Sequence, residues 1–106
     1  MEIKWLEENV RFDPEKPVRQ LLFSTPKGNT VLVCLEPGQS LPLHQHIGSE
    51  EVITVLEGEG EIVIGDEVMP FDKPFVALVP ADTSHLTRST RKQVILVGAI
   101  VPRPEK

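Results

Sequence analysis

Residues 38–58, GQSLPLHQHIGSEEVITVLEG, decide how this chain is read. His44 and His46 stand two apart, and Glu51 follows five residues after His46. Side chains two apart in an extended chain share a face, so both imidazoles point one way and Gln45 the other. Five is an odd offset, so Glu51 joins that face only if the register breaks in between. Gly48 is the residue that permits the break. From Glu51 onward, alternate positions Ile53, Val55 and Glu57 lie on the ligand side, whereas Glu50 has the opposite parity and points away.

The third histidine, His85, follows the turn-like run Pro80-Ala81-Asp82-Thr83-Ser84. That run ends one strand and aims the imidazole back inward. Three imidazoles and a carboxylate suit one divalent transition metal (Fe, Mn, Ni, Cu or Zn) and do not suit calcium or magnesium. The predicted metal ligands are therefore His44, His46, Glu51 and His85. Four protein ligands leave one or two open positions on a five- or six-coordinate ion, where a substrate, water or dioxygen fits. No catalytic residue beyond these is assigned.

Working outward, residues 1–17 read as an extended, proline-punctuated N-terminal arm with Trp5 and Leu6 as anchors. Strands are predicted at 18–24 and 30–35, separated by the turn cluster Pro26-Lys27-Gly28-Asn29. Residues 30–35 (TVLVCL) are apolar on both faces, as in a strand covered on both sides. Residues 51–57 and 61–64 are predicted to pair as a hairpin around Gly58-Glu59-Gly60. Further short strands are expected at 67–69, 75–79 and 86–89, then a long apolar one at 93–101, with a loose polar tail at 102–106. No window keeps a helical period over three turns. Many short strands broken by Gly, Pro and Asp indicate an all-β fold, a sandwich or barrel of two stacked antiparallel sheets. The doubly apolar strands add that the outer face of one sheet is covered too, which suits a dimer.

A chain of 106 residues is a single domain (1–106), large enough for a core without disulfides. Its formal charge of -5 argues against nucleic acid and against an acidic membrane surface as partners. The cluster Arg88, Arg91, Lys92 is too small to reverse that balance. No apolar run approaches a bilayer span, and the first residues lack the apolar stretch of a signal peptide. The single cysteine, Cys34, has no internal partner, so the expected setting is cytoplasmic. Tyrosine is absent, which excludes chemistry that needs a phenol.

These residues resemble the cupin family. Its first motif, G-x5-H-x-H-x3,4-E-x6-G, is filled at every fixed position by Gly38, His44, His46, Glu51 and Gly58, so that residues 38–58 are the first motif. In the second, G-x5-P-x-G-x2-H-x3-N, Pro80 and His85 fit. Pro74, Asp82 and Ser89 stand where Gly, Gly and Asn are usual; residues 80–89 form the core of this motif. The resemblance implies a double-stranded β-helix, or jelly-roll barrel, with the metal inside one mouth. It also implies a homodimer, with the N-terminal arm or the strand at Val18 exchanged between copies. Family activities span dioxygenases, isomerases, epimerases, decarboxylases, sugar binding and sensing, so the fold does not select among them.

The expected pocket walls are Ile53 and Val55 on one strand and Thr87 and Ser89 on the other, with Arg88 pointing outward. An apolar wall without a cationic fork disfavours sugar phosphates. Two readings stay open. One is a metal-dependent enzyme of dioxygenase type on a small apolar or dicarbonyl substrate. The other is a non-catalytic module that binds a small ligand or a metal, as a sensor would. Cys34 reads as a buried apolar filler, Ser49, Thr83 and Ser84 as turn residues whose turn duty alone explains them and which are also candidates for orienting the histidines, and Glu57 as a solvated strand end with the parity of a base.

Overall fold

The computed structural model describes residues 1–104; the last two residues of the tail expected to be loose lie outside the described residues. The elements are one helical turn, α1 (Leu6–Asn9), and six strands: β1 (Val18–Thr25), β2 (Gly28–Leu35), β3 (Glu50–Ile64), β4 (Glu67–Phe71), β5 (Phe75–Val79) and β6 (His85–Val101). All pairings are antiparallel, in the order β1-β2-β6-β3-β4, with β5 added to β3.

The hairpin expected around Gly58-Glu59-Gly60 does not form. β3 runs through those residues, and the two strands expected at 86–89 and 93–101 are one strand, β6, paired with β3 from Glu50↔Val101 to Ile64↔His85. The register between them slips three times between Val55 and Gly60, so both strands bulge and bend together there. The glycines are needed for the bend. Gly58 has φ +120, and a Cβ on it would collide with the Gln93 carbonyl oxygen and lie 2.6 Å from Val94 Cα. A Cβ on Gly60 would collide with the Arg88 carbonyl oxygen.

The bend makes two layers from one continuous sheet. The first half of β3 and the second half of β6 lie with β1, β2 and β5; the other halves lie with β4. Between the layers sits the main core, with Val33, Leu35, Ile53, Val55, Val94 and Leu96 from one side and Ile62 and Phe71 from the other. Each such side chain contributes about 1.5–3 kcal/mol by leaving water.

The same strands bury alternate residues on their outer face. Leu22, Leu32, Cys34 and Ile95 form a second cluster, covered by Leu6, Val10 and Phe12. The double coverage read from residues 30–35 is thus real, and the chain's own N-terminal segment supplies it. That segment is not wholly extended: the Val10 N–H donates to the Leu6 carbonyl at 2.9 Å, closing a single turn. The turn sets Leu6 and Val10, four apart, on one side. Leu6 anchors as expected, but Trp5 is 62% exposed and does not. The Gln39 and Gln20 side-chain amides donate to the Asp13 and Asn9 carbonyls and tie the arm down. Among the described residues no helix is long and apolar enough to cross a membrane.

Gly60→Ala is expected to destabilise the fold by about 1–3 kcal/mol, because the methyl must displace backbone at the bend. Gly38→Ala is the comparison: it has φ +88 but nothing within 4 Å of the added carbon, so it meets only the left-handed penalty. Urea denaturation of both variants measures the difference, and equal losses would refute the close-packing account of the bend.

Candidate metal centre

The segment before β3 is too irregular to be a strand, yet it keeps extended parity where it matters. His44 and His85 form an isolated antiparallel bridge, the His44 N–H donating to the His85 carbonyl at 3.1 Å and the His85 N–H to the His44 carbonyl at 2.8 Å. This reciprocal pair holds the two imidazoles side by side, 4.1 Å between centroids and tilted by 53°. His46, two residues on, turns to the same side, 5.2 Å from the His44 ring. Gly48 then adopts φ +74 and breaks the register as its position predicts. β3 opens with Glu50 exposed and Glu51 buried, so parity selects the right carboxylate.

The four side chains converge. Each offers a ligand atom, and those atoms lie within 4.8 Å of one another. His85 Nε2 and His46 Nε2 lie 2.9 and 3.1 Å from the same oxygen, Glu51 Oε1. His85 and Glu51 are buried, while His44 and His46 are only half-buried, so the cluster meets solvent on the histidine-pair side beside exposed Leu43 and Ile47.

The donor set fits a cation. His44 Nδ1 lies 2.8 Å from the Pro42 carbonyl and His85 Nδ1 3.3 Å from the Thr83 carbonyl. Where Nδ1–H donates to those carbonyls, a neutral ring presents its Nε2 lone pair to the cluster. A lone pair and a carboxylate oxygen 2.9 Å apart repel unless a proton or a cation lies between them. The spacing also matches: ligand atoms about 2.1 Å from one ion and at right angles stand about 3 Å apart.

Burial pushes the His44 and His46 pKa values down from the ordinary 6.5, although Glu51 pulls the other way. For Glu51, burial acts to raise the pKa. The hydrogen bond from His85 and the histidines' charge together outweigh it, and the carboxyl sits below its ordinary 4.5. Two neutral imidazoles and an ionised carboxylate are the forms that a divalent ion needs.

Several neighbouring expectations need correction. Ser49 does not orient a histidine; its hydroxyl donates to the Pro102 carbonyl, and the Thr83 hydroxyl serves its own turn. The orienting partners are backbone carbonyls, which side-chain identity cannot reveal. Glu57 loses its expected place on the ligand face because the register slips after Val55, and it is exposed. Sequence parity also missed Asp82. It adopts φ 64, accepts a hydrogen bond from the Gly48 N–H at 2.9 Å, and donates its own N–H to the His46 carbonyl at 3.2 Å. Asp82 thereby clasps the loop that carries His46 to the loop that carries His85. Arg19, level with Val33 in the β1–β2 pairing, adds a small further downward push at His46.

Ile53, Val55, Thr87 and Ser89 point inward as expected, and Arg88 outward, where its Nε–H donates to Glu61 Oε1 at 2.8 Å. The four inward side chains are fully packed, however, so they do not wall an open pocket. An open cavity of about 840 Å³ lies instead between the edges of β4 and β5, with Ile62, Ile64, Met69, Phe75 and Ala77 on its walls. None of the four cluster side chains lines it. It abuts them through Ile64, the cross-strand partner of His85, and through Thr83.

Comparison with known proteins agrees with this architecture. The family model described as the cupin domain matches residues 31–99. A curated relative, protein SchB of Streptomyces halstedii, is 31% identical over 96 residues, which cover 83% of this chain and 70% of the relative. Among solved structures, TT1209 from Thermus thermophilus has a TM-score of 0.90 at 33% identity, covering 98% of this chain and 100% of that one. An RmlC-like cupin from Desulfovibrio desulfuricans has a TM-score of 0.84 at 38% identity, covering 97% and 98%. With the folded-over sheet, the complete first motif and a family match over residues 31–99, the chain belongs to the cupin family.

Proposed function

We propose that the protein binds one divalent transition metal through His44, His46, Glu51 and His85 and uses it to act on a small apolar or dicarbonyl molecule. The observation that carries this is the convergence of the three imidazoles on one buried carboxylate, with one side left toward solvent. When bound, the ion would supply Lewis acidity and open coordination positions, which suit dioxygenase-type chemistry. The chain's own residues do the rest. The Pro42 and Thr83 carbonyls hold His44 and His85 in orientation, and the bridge between the two histidine loops keeps the donors together.

The cavity beside the cluster favours an apolar ligand. Its walls are aliphatic and aromatic, and the charged residues at its rim, Asp66 and Glu67, are acidic. Carboxylate- or phosphate-rich molecules would meet repulsion there. The same cavity supports the second reading, a module that holds a small ligand without turning it over.

Two features of the setting belong to the proposal. Val52, Val76 and Leu78 stand side by side and exposed on the outer face of β3 and β5. We take a second copy of the chain to cover them, forming a homodimer that light scattering would detect. Cys34, buried and free, suits a reducing compartment, and we place the protein in the cytoplasm on that ground.

Metal titration of the purified chain is expected to show one equivalent of Fe, Mn, Ni, Cu or Zn bound. His85→Ala is expected to weaken binding beyond the roughly 10–100-fold that losing an outer partner costs. An unchanged affinity in that variant would remove His85 from the ligand set.

Acid should release the metal as pH falls through about 6 to 5, since protons compete for the imidazoles. The metal-free fold weakens in the same direction. The lowered histidine values mean that the unfolded chain takes up protons first below 6.5, and the stability from Glu51, present above 4.5, is lost as pH falls through its lowered folded value. Occupancy held down to pH 4 would contradict a three-imidazole shell.

Oxygen uptake by the metal-loaded protein, screened against diketones, catechols and flavonols, separates the two readings. Uptake with any of them establishes the enzyme. Inertness at full metal occupancy favours the binding module.

A further inference from the structure

We infer that Gly98 is a positioning residue of the cluster: by carrying no side chain it leaves the space in which Glu51 Oε2 settles, and so turns Oε1 toward His46 and His85. The inference rests on the metal-centre reading for its consequence, but not for its geometry.

Gly98 lies in the second half of β6, buried, level with Ile53 of β3 on one side and Val31 of β2 on the other. Both neighbours are core residues, so position 98 faces the interior, where an apolar strand such as QVILVGAIV would ordinarily place a Val or an Ile. The backbone gives no reason for glycine here, since Gly98 is not among the residues with positive φ. A glycine inside a strand then marks a close approach by something else.

What approaches is the carboxylate. A Cβ built on Gly98 would collide with Glu51 Oε2 and lie 3.3 Å from its Cδ, with Val31 Cγ2 next at 3.2 Å. At Gly58 and Gly60 the nearest atoms are backbone, so an added methyl must move the fold. At Gly98 the nearest atom ends a rotatable side chain. The methyl would therefore displace the carboxylate and leave the strand in place. Because Oε1 is shared between two imidazole nitrogens at 2.9 and 3.1 Å, a small rotation at Oε2 disturbs both contacts.

The test is a double-mutant cycle with two readouts. Thermal unfolding of the metal-free protein is compared for wild type, Gly98→Ala, Glu51→Ala and the double variant. Gly98→Ala is expected to lower the Tm with Glu51 present and to change it little once Glu51 is Ala, because the collision has gone. An equal drop in both backgrounds would overturn the inference. Zinc affinity is the second readout: Gly98→Ala is expected to weaken it about 10–100-fold with Glu51 present, and to leave the residual affinity of Glu51→Ala unchanged. Coupling in the Tm with unaltered zinc affinity would overturn the positioning role. If wild type binds none of the five metals while the Tm coupling holds, the metal-centre reading falls and the Gly98–Glu51 packing stands.

Discussion

The bend shared by β3 and β6 is what brings the candidate site into being. Across the two paired strands, Glu51 stands opposite Ile100 and His85 opposite Ile64. Glu51 and Ile64 are thirteen residues apart, about 43 Å of straight strand at the usual rise. Yet His85 Nε2 lies 2.9 Å from Glu51 Oε1. A flat ribbon would hold these groups at opposite ends; folding it over at the Gly58 and Gly60 bulges brings the ends together. Every other feature of the site works at a smaller scale. The His44–His85 bridge sets angles, the carbonyls set ring orientation, and Asp82 closes the loops, but none of them could make up tens of ångströms.

That dependence explains why so polar a cluster is tolerated beside a packed apolar core. The folded-over strands bury Ile53 and Val55 on the same face as Glu51, and Thr87 and Ser89 on the same face as His85. The interior is therefore graded along each strand, charged and imidazole-bearing at the open end and hydrocarbon beyond it. A buried carboxylate is costly without a partner, and Glu51 obtains two imidazole contacts through one oxygen. Its second oxygen rests where Gly98 leaves room.

Much of the site was legible in the sequence because parity is a local property. The spacing of His44, His46 and Glu51, the break at Gly48, and the choice of Glu51 over Glu50 all follow from which way successive side chains point, and the structure places them accordingly. The sequence misled where a residue type serves two geometries. Gly58-Glu59-Gly60 reads as a hairpin turn, but glycines also permit bulges, and only the proximity of Gln93, Val94 and Arg88 decides between them. The parity of Glu57 failed for the same reason, since a count across a bulge is wrong by one, while its reading as a solvated residue agrees with its exposure. The single turn at Leu6–Asn9 is too short to leave a periodic signature. The open cavity was misplaced because alternation tells which residues face inward and is silent on which of those remain unpacked.

The departures in the second motif show how a local cost is offset by a contact that the usual residue lacks. Asp82 occupies a left-handed conformation that glycine adopts freely and that costs other residues about 1–2 kcal/mol, less for Asp. Its carboxylate, however, accepts from the Gly48 N–H, a hydrogen bond worth roughly 1.5–3 kcal/mol to a charged acceptor when shielded and less in water. The two effects are of similar size, so Asp82 is no stability device on balance. What it adds is constraint. The Gly48 loop and the His85 loop, 34 residues apart in sequence at this contact, are fixed to each other next to His46. Ser89 likewise keeps the backbone in place, exchanging hydrogen bonds with Gly38 and Gln39 at the start of the first motif. The Asp82 side chain thus joins the two motifs through a contact specific to its residue type, whereas at Ser89 the join is made by backbone groups that any residue there would supply.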